Sequence, residues 1–225
     1  MNKNLTEIVY ILDESGSMGF VKDDTIGGFN EFVEQQKEIE GEAVFTLVKF
    51  SDYYKVIEQG TLLENVKALN KETYSPSYST ALLDAVGKTI NNVGNRHDTL
   101  DEEDKPGKVL FVIVTDGHEN SSNEYLEEGI IAKIVKQKRD KNRWEFLFLG
   151  ADIDAWSSGK NLGFSRSQSV DTDKYNMKKS MKGLSHFTSN YRMSGQEFWE
   201  PTYDSFFMDE TELDNDLSKM SKKKK

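Results

Sequence analysis

The sequence contains no cysteine, which excludes disulfides, thiolate metal sites and a cysteine nucleophile. Histidine is scarce as well. His97, His118 and His186 are scattered and form no His-x-x-x-His pair, so a zinc site built on imidazoles is not expected. There is no Gly-x-x-x-x-Gly-Lys-Ser/Thr phosphate loop, which argues against nucleotide hydrolysis by that route. The longest apolar run, Val109 to Val114, is far too short to span a bilayer. Met1 to Asn4 lead into a strand-like stretch with none of the apolar core or cleavage site of a secretory signal. Together with the missing cysteine, this sets the expectation of a cytoplasmic protein. Basic residues are in deficit, 29 Lys and Arg against 39 Asp and Glu, giving a net charge of −10. An acidic surface disfavours nucleic acid, whose phosphates require compensating cations. The closing Lys222 to Lys225 is the only basic cluster and reads as a solvated tail. Neither a nucleic-acid nor a membrane partner is expected.

What is present suits a globular protein. A chain of 225 residues supports one good-sized domain with its own core, or one domain plus an appendage. Glu7 to Leu12 reads as a buried strand, because Ile8, Val9, Tyr10, Ile11 and Leu12 leave almost no polar face. Residues 25–40 place Ile26, Phe29, Phe32, Val33 and Gln36 near one helical face. Ala43 to Phe50 is a second strand and Tyr53 to Glu58 a third. The tight Ser51-Asp52 connection predicts that the third runs antiparallel at the sheet edge, with Asp52 as a turn residue.

Residues 79–94 form a second amphipathic helix, with Ser79 and Thr80 as candidate caps and Gly94 as a candidate stop. Residues 95–107 read as a polar loop, and Val109 to Thr115 as a strand suited to the centre of a parallel sheet. A charged helix over Glu124 to Lys141, a strand over Trp144 to Leu149 and a helix over 152–162 follow. A short strand over Ser167 to Val170 and a final helix over 174–191 complete the pattern. Strands alternating with helices predict a doubly wound α/β domain over 1–192. Its central sheet is mostly parallel with one antiparallel edge strand, and helices cover both faces.

Residues 193–208 read as an aromatic-rich extension. Phe198, Trp199, Tyr203, Phe206 and Phe207 crowd around the helix-breaking Pro201 and are expected to fold back onto the domain. Residues 209–225 read as a flexible tail, acidic from Asp209 to Asp216 and then basic. The acidic run is itself a candidate to cap a cation site of its own or a neighbouring molecule, which would make the tail a route to self-association. A solvated tail is the simpler reading.

Open α/β sheets bind ligands beyond the carboxyl ends of their strands. Asp13-Glu14-Ser15-Gly16-Ser17-Met18-Gly19 follows the first strand, Asp116-Gly117 follows the fourth, and Thr80 heads a helix. These places can converge at one sheet edge. Asp13, Ser15, Ser17, Thr80 and Asp116 would then supply two carboxylates and three hydroxyls, an all-oxygen set suited to a hard cation of the magnesium type. If the hydroxyls bind directly and the carboxylates through water, the ion stays electron-poor and an open position attracts an outside carboxylate. Glu14, by alternation, reads as a solvated rim. Asp84, one turn beyond Thr80, either orients it or a bound water, or serves as a surface or capping group. His118 reads as an exposed loop residue.

This pattern resembles the metal-ion-dependent adhesion site (MIDAS) of von Willebrand factor A (VWA) domains. The family's Asp-x-Ser-x-Ser is met by Asp13, Ser15 and Ser17, its threonine by Thr80, and its second aspartate by Asp116, in order. The stretches Asp24-Thr25-Ile26-Gly27-Gly28-Phe29-Asn30 and Thr115-Asp116-Gly117-His118-Glu119-Asn120 resemble a group of bacterial and phage VWA proteins. The resemblance implies a VWA fold, a site for Mg2+ or Mn2+ with Ca2+ less suited, and a protein partner that presents Asp or Glu.

The expected function is therefore a non-catalytic, metal-dependent adaptor, in the host cytoplasm if phage-encoded. Two alternatives stand beside it. One is a metal-dependent phosphoryl-transfer hydrolase similar to the haloacid dehalogenase class. The residue two beyond the nucleophilic aspartate is typically an aspartate there, and here it is Ser15, which cannot serve as acid and base near neutral pH. The other is a phage structural or assembly protein.

Overall fold

In the computed structural model, the described residues are 1–151, 159–164, 169–172 and 177–194. They form a six-stranded sheet in the order β3-β2-β1-β4-β5-β6. The strands are β1 (Asn2–Asp13), β2 (Glu42–Phe50), β3 (Tyr54–Leu62), β4 (Pro106–Thr115), β5 (Glu145–Ala151) and β6 (Ser169–Thr172). All pairings are parallel except β2 with β3, as the tight Ser51-Asp52 turn requires. The helices are α1 (Lys22–Lys37), α2 (Leu82–Thr99), α3 (Ile130–Asn142) and α4 (Met177–Met193), and a 3-10 turn spans Gly16–Val21. Among the described residues no helix is long and apolar enough to cross a membrane.

Side chains alternate across each strand, so the continuous apolar runs of β1 and β4 feed two cores at once. On one face Ile8, Tyr10, Leu12, Leu110 and Val112 pack against Phe29, Phe32 and Val33 of α1 and Met181, Leu184 and Phe187 of α4. On the other, Val9, Ile11, Phe111 and Ile113 meet Val86, Ile90 and Val93 of α2 and Ile131 and Val135 of α3. The chain thus leaves β1 toward β2 on one side and returns to β4 on the other. That reversal puts the crevice of the sheet at the carboxyl ends of β1 and β4.

Several expected boundaries move, for physical reasons. β1 begins at Asn2 rather than Glu7, because its first residues reach the start of β4 across a register shift. β3 runs on to Leu62, and α1 is displaced to Lys22–Lys37. Gly94 does not stop α2, which continues to Thr99. A Cβ at Gly94 would lie 2.7 Å from Lys138 Nζ and 3.8 Å from the Trp144 ring, so this glycine serves close packing against α3 and the Trp144 side chain ahead of β5. The extra turn carries Arg96 and His97, from the expected polar loop, back to the sheet. α3 starts at Ile130, not Glu124, after Gly129 in the left-handed region at φ 74°. β5 begins one residue later than expected and reaches Ala151, and β6 lies two residues beyond the expected strand. Most of the helix expected over 152–162, the start of the final helix at 174–176, and residues 195–225 lie outside the described residues. The readings of the aromatic extension and the tail therefore rest on sequence alone.

Candidate metal centre

β1 and β4 run side by side with Leu12 opposite Val114, so their ends place Asp13 and Asp116 at the same edge. The loop after β1 turns at once into the 3-10 helix, bringing Ser15 and Ser17 over that edge. Ser15 Oγ lies 3.2 Å from Ser17 Oγ, and Ser17 Oγ donates to Asp116 Oδ1 at 2.6 Å. Asp13 Oδ1 accepts the Ser15 amide at 2.7 Å, and its Oδ2 accepts the Thr115 hydroxyl. Thr80 reaches the same place through Gly117. A Cβ there would sit 2.8 Å from Thr80 Oγ1 and 3.5 Å from Asp13 Oδ2, so only glycine leaves the threonine this room. The five residues singled out in the sequence are thus brought together, and Asp13, Ser15, Thr80 and Asp116 are buried.

The donor set fits a hard cation. Ser17 gives its proton to Asp116, accepts from Ser15 and keeps one lone pair for another partner. Asp13 is held by two protein donors, an arrangement suited to a carboxylate acting through water. Among the described residues no three His, Cys, Asp or Glu side chains converge, so a cation here would rest largely on neutral oxygens. Burial pushes the Asp13 carboxyl up to about 6; the Thr115 and Ser15 hydrogen bonds oppose this, and the nearby Asp116 charge adds to it. A bound dication would reverse that balance.

Thr80 does not cap α2 as expected. The helix begins at Leu82 with no cap from its own neighbours, and its first amides are capped from the loop after β4. Glu119 Oε2 accepts Leu83 N at 2.8 Å, and Ser122 Oγ accepts Asp84 N at 3.0 Å. Asp84 returns the arrangement, accepting the amides of Asn123, Glu124 and Tyr125 at 2.9, 2.9 and 3.0 Å. This fixes its role as a cap on the loop that precedes α3. Burial raises its pKa, but these three amides and Lys88 outweigh that and hold it below the usual range. Asn120 completes the clamp, its Oδ1 accepting Thr80 N at 2.8 Å while its own amide donates to Thr80 O at 3.0 Å. The loop carrying Asp116 and the segment carrying Thr80 are therefore one unit. Replacing Glu119 with Ala should lower stability by about 1–2 kcal/mol. A urea titration should show a lower midpoint with an unchanged slope.

Glu14 is not a solvated rim. It is buried, paired with Lys49 Nζ at 2.8 Å, and accepts Ser75 N at 2.6 Å and the Tyr53 hydroxyl. Its carbonyl accepts Ser77 N at 2.8 Å, Gly16 N donates to Tyr78 O at 3.0 Å, and Tyr74 Oη donates to Asp13 O at 2.6 Å. These bonds staple residues 74–78 to the loop after β1. Asp52 stays in the hairpin turn, accepting the Ser51 hydroxyl at 3.2 Å. His118 is exposed.

Lys49, Thr115, Gly117, Glu119 and Asn120 carry no role in the sequence reading, and Glu14 carries the wrong one. Four of them stand in the quoted stretch Thr115 to Asn120 at and beyond the end of β4, whose density of turn and capping residues was the available signal. A lysine inside the apolar Ala43–Phe50 strand was the signal for the Glu14 pair, since a buried cation demands a partner.

No family model and no curated protein sequence matches the chain. Solved structures do. Proximal thread matrix protein 1 (PTMP1) from the mussel byssus, in a form with a zinc-occupied MIDAS motif, superposes with a TM-score of 0.59. The two are 17% identical over 84% of this chain and 47% of that one. The vWF domain of the type V pili tip protein Mfa5 from Porphyromonas gingivalis gives a TM-score of 0.59 at 9% identity, over 84% of this chain and 97% of that one. The ArnB paralog VWA2 from Sulfolobus acidocaldarius gives 0.51 at 12% identity, over 80% and 45%. The chain spans about half the length of the mussel and Sulfolobus chains. At these identities the similarity establishes the fold: this is a VWA fold, and the doubly wound sheet expected from sequence is the one observed.

Proposed function

We propose that this protein is a divalent-metal-dependent protein-binding module, an adaptor in which a cation at the β1–β4 edge grips an Asp or Glu carboxylate of a partner protein. Ser15, Ser17 and Thr80 would hold the ion directly, and Asp13 and Asp116 through water. Mg2+ is the proposed ion and Mn2+ its substitute; Ca2+ prefers more charged oxygens than this set offers. When bound, the ion supplies a Lewis-acidic position for a carboxylate from outside.

The observation that carries this reading is the hydrogen bond from Ser17 to Asp116, closed by Ser15 and by Thr80 beside Gly117. It draws the hydroxyls of Ser15 and Ser17 to the Asp116 carboxylate, with Thr80 and Asp13 beside the adjoining Gly117. The PTMP1 structure with zinc in its MIDAS motif supports a divalent metal in such a cradle, and a matrix protein and a pilus tip protein sharing the fold support a binding role. Nothing in the arrangement of Ser15 favours the hydrolase alternative.

Calorimetric titration tests the metal. Wild type should bind Mg2+ and Mn2+, and Asp116→Ala should weaken both by about 10- to 100-fold. Retention of host proteins on the immobilised chain then tests the grip. Retention should be lost in chelator and in Asp13→Ala, and a partner held equally well in chelator would refute the adaptor reading.

A further inference from the structure

Tyr78 is held in a backbone conformation that its side chain opposes. Its φ is 67°, in the left-handed region that glycine enters freely and a bulky residue does not. The surroundings over-determine it. Its carbonyl accepts Gly16 N, the preceding Ser77 amide donates to Glu14 O, and two residues on, Thr80 is clamped by Asn120. Tyr78 is meanwhile 73% exposed as a residue, and among the described residues its hydroxyl makes no hydrogen bond. Neither the core nor the loop uses this ring. Phe20, three residues after Ser17 on the 3-10 turn, is 83% exposed. Two large aromatic side chains thus stand on the loops that carry Ser15, Ser17 and Thr80.

We propose that Tyr78 is a specificity-determining contact on the rim of the metal cradle, and that it receives a large apolar side chain next to the gripped carboxylate. The inference rests on the metal-dependent grip proposed above and adds the partner's chemistry to it. With a net charge of −10, the protein repels a polyacidic partner at long range, so attraction must come from short-range contacts. The matching ligand is a linear segment of a partner protein with one Asp or Glu beside a large apolar residue, flanked by neutral or basic residues. An aromatic ring supplies much contact area at little entropic cost, which suits such a rim position.

Selection of random peptides displayed on phage tests this against wild type, Tyr78→Gly and Asp13→Ala, each in Mg2+ and in chelator. In Mg2+, wild type should enrich peptides with an acidic residue next to a large apolar one. Tyr78→Gly should still enrich the acidic residue while losing the apolar preference, and should bind the wild-type consensus peptide about tenfold more weakly. Its Mg2+ affinity should be unchanged and its Tm should not fall, because glycine accepts the backbone conformation. An apolar preference that survives in Tyr78→Gly overturns the rim contact and leaves the carboxylate grip standing. Enrichment of polyacidic peptides resembling residues 209–216 overturns the proposed partner chemistry. Loss of acidic enrichment in wild type, or its persistence in chelator or Asp13→Ala, overturns the grip itself.

Discussion

In chelator at pH 7.5, Asp13→Asn should melt above the wild type, and added Mg2+ should raise the wild-type Tm while leaving the variant's unmoved. Asparagine keeps the shape of the side chain. Its oxygen can accept the Ser15 amide, and the Thr115 hydroxyl can turn to meet the other end. What disappears is a buried charge. Asp13 has its folded pKa pushed up from 3.8 to about 6, mainly by burial. The folded state therefore binds the proton more tightly than the unfolded chain, and stability falls as pH rises between those values.

Above about pH 6 the full penalty is present in the metal-free protein, amounting to about 1–3 kcal/mol. For a chain of this size that corresponds to roughly 2–10 °C in Tm. The difference between variant and wild type should vanish below the unfolded value. Thermal melts across pH 3.5 to 8, conditions chosen to bracket that window, with and without Mg2+, read both halves of the expectation. A variant less stable than wild type in chelator at neutral pH would show that the Asp13 charge is already well compensated by protein groups. The cradle would then have no stored preference for a cation.

The second large effect lies midway along β1. Glu7 is fully buried and accepts from Thr46 Oγ1 at 2.7 Å, from His97 Nε2 at 2.6 Å and from the Arg96 guanidinium. Arg96 reaches it across Gly60, where a Cβ would collide with the guanidinium. Glu7→Gln should cost about 2–3 kcal/mol, less than the ~3–5 of a wholly buried pair because Arg96 remains partly in water. Burial alone would raise the Glu7 pKa, but His97, Arg96 and Thr46 together hold it below 4.5. Its contribution is therefore present above 4.5 and lost as pH falls through the lower folded value. Denaturant titrations should show the gap between wild type and Glu7→Gln closing as the pH drops below 4.5. Metal affinity should not change. Equal stability of the two proteins at pH 7 would mean that the cluster gains nothing over its desolvation cost.

Glu7 also marks where sequence reading runs out. The strands were legible because Ile8 to Leu12 and Val109 to Val114 are continuous apolar runs, and such runs belong in the middle of a parallel sheet. Asp13, Ser15, Ser17 and Asp116 were legible because strand ends in that topology form the crevice. The buried polar partners were not. Glu7 finds His97 ninety residues away, and Glu14 finds Lys49 thirty-five away, and no local periodicity records such a match. Glu14 was misread because alternation predicts only direction, and a turn that buries both directions defeats it. Gly94 was misread because a glycine that ends a helix and one that admits a neighbouring side chain look the same in sequence. The capping role read for Thr80 fails because the groups that cap α2 come from the loop after β4.

The parallel neighbours of β1 also bear on force. Asn2, at the start of β1, lies at the edge of the sheet opposite the cradle, while Ser15 and Ser17 follow directly from its end. A pull between the N-terminal end and a carboxylate held at those serines would run along β1 itself. The hydrogen bonds to β2 and β4 lie across that line, so the load would pass through the backbone of β1 and would not peel either ladder open bond by bond. The strand that ends at Asp13 and leads into Ser15 and Ser17 would bear that tension along its own length.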